Sequence, residues 1–207
     1  MIDKIIFTVT PIYSIPPRGA AAVETWMYQV AQRTKFPNRI VCIKNEGYSD
    51  YSYVNEKCSI HRIGFSSVYK RIFQKWTRLD PLPYSKRILK VAEKFEITDQ
   101  SVIVVHNSMK LYRQIRSQAP QAKVVIHMHN AFEPKLLDKK VKMIVPSLFL
   151  KNYYQSYLPE ADIVIVPNGI DLDIYQSSYE SISKNKLSIP PESKVVFFAG
   201  RIVPDKG

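Results

Sequence analysis

At 207 residues, with 45% hydrophobic and 12% aromatic side chains, the chain can bury a sizeable core, which excludes disorder as a description of the whole. Thirty Lys and Arg against eighteen Asp and Glu give a formal charge of +12 and favour an anionic partner: nucleic acid, an anionic membrane or a phosphorylated small substrate. No stretch approaches the roughly 20 apolar residues that cross a bilayer, no signal-peptide pattern opens the chain, and Cys42 and Cys58 have neither metal-ligand nor redox spacing, as in a reduced cytosolic protein.

Short β-branched runs alternate with helical patterns, the signature of a parallel α/β sheet. Strands are expected over 4–10, 39–44, 59–63, 101–106, 123–129, 142–145 and 162–166. The first helix is expected over 20–34, where Val23, Met27, Val30 and Ala31 form an apolar face at helical spacing. Further helices are expected over 67–79, 85–94, 109–118 and 147–157. The Ser/Lys/Asn-rich stretch 176–193 reads as linker. Val195 to Phe198 then form a buried-type strand that runs into Gly200, Arg201 and Lys206. A strand of that kind needs neighbours on both sides, so 195–207 is expected to be the first strand of a truncated second domain.

Open parallel sheets bind ligands at the carboxyl ends of their strands, and four segments reach that edge. Gly19 ends the loop after the first strand, just before a helix whose free N–H groups favour an anion; an ordinary turn explains it equally well. The second segment is Val105-His106-Asn107-Ser108 and the third is Ile126-His127-Met128-His129-Asn130. Both end β-runs, which places His106, His129 and their asparagines on the active edge. A metal reading is available, with His127 and His129 on one strand face and His106 as third ligand. Without a Cys or acidic ligand at motif spacing, hydrogen-bonded core or edge histidines are the expectation, above all for His127. In the fourth segment Ser147 is an N-cap for the helix that follows and needs no catalytic role. No Gly-x-Ser-x-Gly, P-loop or Gly-x-Gly-x-x-Gly occurs.

Residues 62–90 hold eight Lys or Arg and one acid, Asp80. Within them Tyr69, Ile72, Phe73, Trp76 and Leu79 fall on one helical face, with Arg71, Lys75 and Arg78 opposite and Lys70 flanking. A basic amphipathic helix of this kind suits an anionic membrane, although a stripe packed against the sheet gives the same pattern. RNA stacking is a third reading, without an accompanying RNP, KH or zinc-finger signature.

A family resemblance rests on Pro167-Asn168-Gly169-Ile170-Asp171 and, after an apolar run, Gly200-Arg201 through Lys206-Gly207. Together these are similar to the interdomain region of GT-B glycosyltransferases of family 4. Segments 5–11, 16–26, 75–84 and 127–134 extend the resemblance to one subgroup, the lipopolysaccharide core α-1,2-N-acetylglucosaminyltransferases of Gram-negative bacteria. The resemblance implies an N-terminal, acceptor-side Rossmann-like domain over 1–166, an interdomain linker over 167–194 and the start of the donor domain over 195–207. It implies a retaining, metal-independent transfer of N-acetylglucosamine from UDP-N-acetylglucosamine to the lipopolysaccharide outer core, by a peripheral enzyme on the inner face of the cytoplasmic membrane. No nucleic acid partner is expected.

In that family Arg201 and Lys206 would hold the donor diphosphate, a role their charge and donor geometry suit. His129 would reach the transferring sugar. Asn130 stands where the family has an acid, and Gly19-Ala20 where it often has a Gly-Gly pair. The chain alone is expected to transfer no sugar. A glucosyl- or heptosyltransferase of the same pathway, or a stand-alone lipid- or RNA-binding module, are the alternatives.

Overall fold

The computed structural model describes residues 6–19, 21–76, 80–95, 100–172 and 184–196. The chain divides into two compact units, Met1–Asn168 and Gly169–Gly207. The described part of the second contains a 3₁₀ turn, Lys184–Leu187, whose Lys184 Nζ donates to the carbonyls of Pro191 at 2.6 Å and Ser193 at 2.7 Å. The strand expected from 195 lies mostly outside the described residues.

The first unit holds an eight-stranded sheet. Its strands are β1 (Ile6–Val9), β2 (Asn38–Ile43), β3 (Tyr51–Asn55), β4 (Cys58–Ile63), β5 (Val102–His106), β6 (Lys123–His127), β7 (Lys142–Val145) and β8 (Asp162–Ile165). They lie in the order β3-β4-β2-β1-β5-β6-β7-β8, and every pairing is parallel except β3 with β4. The expected parallel α/β sheet is therefore present. β3 is an addition that the sequence reading left out: an exposed antiparallel edge hairpin closed where Asn55 Oδ1 accepts from the N–H groups of Lys57 and Cys58.

Helices α1 (Ala22–Arg33), α3 (Tyr84–Glu93), α4 (Met109–Gln118) and α5 (Leu148–Tyr157) cover the sheet, while α2 (Ser67–Tyr69) runs directly into a π-helical segment, Lys70–Trp76. Strand alternation sorts the core into two layers. Phe7, Val9, Ile103, Val105, Ile126 and Met143 pack with Ile88, Leu111, Ile115 and Tyr154 from α3, α4 and α5. On the opposite face, Ile40, Cys42, Cys58 and Ile60 pack with Met27 and Ala31 of α1. Cys42 and Cys58 are free and buried, and burial pushes both thiols up to about 11, so they serve as small apolar core residues.

Serine side chains start the helices that follow β5 and β7. Ser108 Oγ accepts from Leu111 N–H and Ser147 Oγ from Leu150 N–H. Each satisfies a donor that the helix cannot, worth about 1 kcal/mol. β6 ends at His127, two residues earlier than expected, so His129 sits in the loop beyond the strand instead of on the same strand face as His127.

The 67–79 helix also differs from expectation. Its apolar stripe is split: Tyr69 and Phe73 turn inward, Tyr69 against Phe65 and bonded to Asp80, while Val68, Ile72 and Trp76 face solvent at 62%, 37% and 70% exposure. The wide π-winding, with its i→i+5 bonds, displaces residues from the face an α-helix would give them. Arg78 and Leu79 lie outside the described residues.

Ser147→Ala should lower the unfolding free energy by about 1 kcal/mol in urea titration while leaving the activity of the folded protein intact. A loss of activity without loss of stability would assign Ser147 a role beyond capping.

Candidate functional site

The chain order reverses between β1 and β5. β1 leads through α1 to β2 on one side, and β5 leads through α4 to β6 on the other. The carboxyl ends of these two strands form the topological switch point, where open α/β sheets bind ligands. Three chain segments meet there: the loop after β1, the turn after β5 and the loop after β6.

β1 ends at Val9, and the next residue, Thr10, is held from two sides. Its Oγ1 donates to the buried carboxylate of Glu24 at 2.9 Å, and its carbonyl accepts from Tyr84 Oη at 2.8 Å. Farther along the loop, Ser14 Oγ donates to Ile43 O and accepts from Asn45 N–H. The buried guanidinium of Arg62 donates to Ile15 O through Nε at 3.0 Å and Nη2 at 2.6 Å. Arg18 donates to Gly47 O at 2.8 Å and lies over the Tyr48 ring, whose hydroxyl donates to Pro16 O. Gly47 has a φ of 77°, a backbone state glycine adopts without strain, and a Cβ there would meet Arg18 Nη1 at 2.7 Å. Gly19 itself is exposed with open space around its Cβ position, so no close approach requires glycine there. Ala20 lies outside the described residues. Ala21 caps α1 without a side-chain bond.

β5 ends at His106, and the next residue, Asn107, adopts a left-handed φ of 49°. Asparagine tolerates that conformation better than most residues. In this turn Asn107 N–H donates to His127 O at 3.0 Å, and its Oδ1 accepts from His129 N–H at 2.8 Å. One residue therefore ties the ends of β5 and β6 together and fixes His106, His127 and His129 as a group. Beyond β6, Tyr154 Oη donates to Asn130 O at 2.7 Å and accepts from Phe132 N–H at 3.2 Å, which holds the loop that exposes Asn130.

The three imidazoles pack against one another. His106 Nδ1 and His129 Nε2 are 3.0 Å apart, and the His127 and His129 rings stack with centroids 4.0 Å apart. Trp26 of α1 covers the group, its ring centroid 4.8 Å from His127, 5.5 Å from His129 and 5.7 Å from His106. His106 and His127 are buried and His129 is half-buried. Beside Trp26 an apolar cavity of about 170 Å³ runs between α1 and the sheet, touching Thr8, Val104, His106, His127 and Ile144.

Burial disfavours the charged imidazolium. It lowers His129 to about 4, and burial with the neighbouring His129 lowers His127 to about 3. His106 is held well below its ordinary value, by burial first and then by the other two rings. All three are neutral near pH 7, so each has one donor and one acceptor nitrogen. Such a group can bind hydroxyls or ligate a cation, but it offers no positive charge to a phosphate.

The structure thus brings together His106 and His129, and places exposed Asn130 beside them in sequence. Arg201 and Lys206 lie outside the described residues. Lys70, Arg71 and Lys75 are exposed on the π-segment, far along the chain from these strand ends. Sequence reasoning placed Asn107 on the active edge without its bonding role, and missed Trp26, Glu24 and Tyr154, which carry no local signal.

Over all 207 residues the chain is 61% identical to a lipopolysaccharide 1,2-N-acetylglucosaminetransferase of Salmonella typhimurium, and it spans 54% of that protein's length. Among solved structures, the N-terminal domain of a trehalose-6-phosphate phosphatase of Candida albicans superposes with a TM-score of 0.55 at 12% identity, covering 90% of this chain and 53% of that one. A trehalose-6-phosphate protein from E. coli bound with UDP-2-fluoro glucose gives a TM-score of 0.53 at 10% identity, over 89% of this chain and 53% of that one. The likenesses to solved structures show the fold alone, an open parallel α/β domain. No family model matches the chain.

Between pH 6.5 and about 4 the unfolded chain binds protons that His127, His129 and His61, the last also lowered to about 4, refuse in the fold. Stability present above pH 6.5 is therefore lost as pH falls through this window. Thermal melts should shift steadily downward from pH 7 to pH 4.5, and less steeply for His127→Gln. A melting temperature flat over that range would mean that the rings are not held neutral.

Proposed function

We propose that the chain is the acceptor-side part of a retaining glycosyltransferase that moves N-acetylglucosamine from UDP-N-acetylglucosamine to the outer core of lipopolysaccharide. The observation that carries this reading is the 61% identity along the whole chain to a transferase of that name. The geometry is consistent with it, because the resemblance falls on a domain whose switch-point crevice ends in a half-buried, neutral histidine.

In this reading His129 contacts a hydroxyl of the transferring sugar. A neutral imidazole can donate or accept there without a counter-charge. Asn107 positions it through the backbone and His106 through the ring nitrogen. Asn130 and the loop through Gly19 and Ala20 border the donor, while Arg201 and Lys206 bind its diphosphate. The charge of the leaving nucleotide is met by these cations, and no metal takes part in the transfer.

The same reading puts the enzyme on the inner face of the cytoplasmic membrane, as a peripheral protein. No helix among the described residues is long and apolar enough to cross a membrane. α2 and the π-segment offer another form of attachment: Val68, Ile72 and Trp76 are exposed, with Lys70, Arg71 and Lys75 around them. Apolar side chains that insert beside cations drawn to anionic headgroups are what interfacial binding requires. A phosphorylated lipid-linked acceptor accounts for the basic charge without nucleic acid.

In the intact protein, His129→Ala should reduce sugar transfer to truncated lipopolysaccharide core by about 10²-fold or more while leaving its melting temperature near that of wild type. Transfer at the wild-type rate would make His129 structural. Trp76→Ala and the pair Arg71→Glu/Lys75→Glu should each weaken co-sedimentation with anionic vesicles and spare the fold. Undiminished binding in both variants would remove this segment from the membrane surface.

A further inference from the structure

The histidine group has a property that sugar binding does not require. One nitrogen from each of His106, His127 and His129 lies within 4.8 Å of the other two, making a candidate three-ligand metal set. A tetrahedral zinc ion bound at about 2.0–2.1 Å places its ligand nitrogens roughly 3.3 Å apart. His106 Nδ1 and His129 Nε2, at 3.0 Å, already have nearly that spacing. His127 Nε2 is buried with no hydrogen-bond partner, which costs free energy unless something binds it.

We propose that His106, His127 and His129 form a binding site for a divalent transition-metal ion of the zinc class, and that the bound ion inhibits sugar transfer by replacing the His106 bond that positions the His129 ring.

Three features favour the site. The proton between His106 Nδ1 and His129 Nε2 can move to the other nitrogen of its own ring, which frees both atoms to ligate without a charged imidazole. Their strand ends are locked together by Asn107, so little ordering remains to be done when the ion arrives. Among the described residues no carboxylate or thiolate joins the group. An all-imidazole set suits zinc, copper, cobalt or nickel and disfavours magnesium and calcium, which require oxygen ligands. Three protein ligands leave a fourth position for water or an anion, so the site is of the open kind and its ion is exchangeable. Trp26, stacked edge-on to His127 at 4.8 Å, supplies an optical reporter within the site.

The binding half of the proposal stands on this geometry alone; the inhibitory half rests on His129 being the sugar contact. Two sets of measurements on the intact protein keep them apart. In the first, Co²⁺ is added without any sugar. One ion per chain should bind, develop visible d–d absorption, quench fluorescence that is absent in Trp26→Phe, and be displaced by Zn²⁺ but not by Mg²⁺.

His127→Gln and His106→Gln should each weaken Co²⁺ binding by about 10²-fold or more, with folding checked by thermal melts. Should these variants fail to fold, X-ray absorption at the zinc edge of the wild-type protein decides, and should show three imidazole ligands. Co²⁺ that fails to bind, binds the folded variants as tightly, or takes sulfur or carboxylate ligands overturns the site. In the second set, Zn²⁺ at saturation should slow transfer, and a chelator should restore it. Full activity with the site occupied would overturn the inhibition and leave the binding intact. A protein with no sugar transfer at all would instead contradict the glycosyltransferase reading, and the Co²⁺ result would still stand or fall by itself.

Discussion

The crevice depends on the turn at Asn107. The β5–β6 ladder already sets His106 beside His127. Asn107, in left-handed conformation, carries the pairing past the strand end, giving its N–H to His127 O and receiving His129 N–H on its side chain. Each bond contributes only about 1 kcal/mol net. Their effect is geometric: they set three imidazoles in contact at the one place where the sheet order reverses. The third side of the crevice is fixed in the same way, since Thr10, just past the end of β1, is bonded to Glu24 of α1 and to Tyr84 of α3.

Neutrality follows from this packing. Two of the histidines are buried and all lie under an indole; burial disfavours a proton on each, and the other rings add to this for His106 and His129 does for His127. The chain is strongly cationic overall, yet its crevice offers neutral imidazoles in the described residues. Exposed cations lie on the π-segment, while the strand ends of β5 and β6 present uncharged hydrogen-bonding groups.

Most of the sheet was legible because buried parallel strands announce themselves as short β-branched runs, and Val102–His106 and Lys142–Val145 are of that kind. Tyr51–Asn55 was not legible, because an exposed edge strand has no apolar run to show. The histidines could be placed at strand ends from spacing alone. What they touch could not, because Trp26 and Glu24 reach the site only through the packing of α1 on the sheet, and no local pattern encodes which residues of a helix lie over which strand end. The stripe from Tyr69 to Trp76 misled for a different reason. Helical periodicity assumes α-winding, and the π-segment sends Tyr69 and Phe73 inward and Ile72 and Trp76 outward. His127 and His129 were expected to share a face by strand alternation; they do meet, but by ring stacking across a strand end.

The central claim is that His129 meets the transferring sugar at the switch point. A crystal structure of the intact protein with UDP-N-acetylglucosamine bound tests it most directly. The account predicts a ring nitrogen of His129 within hydrogen-bond distance of a sugar hydroxyl, with Asn107 still holding His129 N–H. A donor sugar seated away from the ends of β5 and β6, with His129 bonded only to His106, would contradict it.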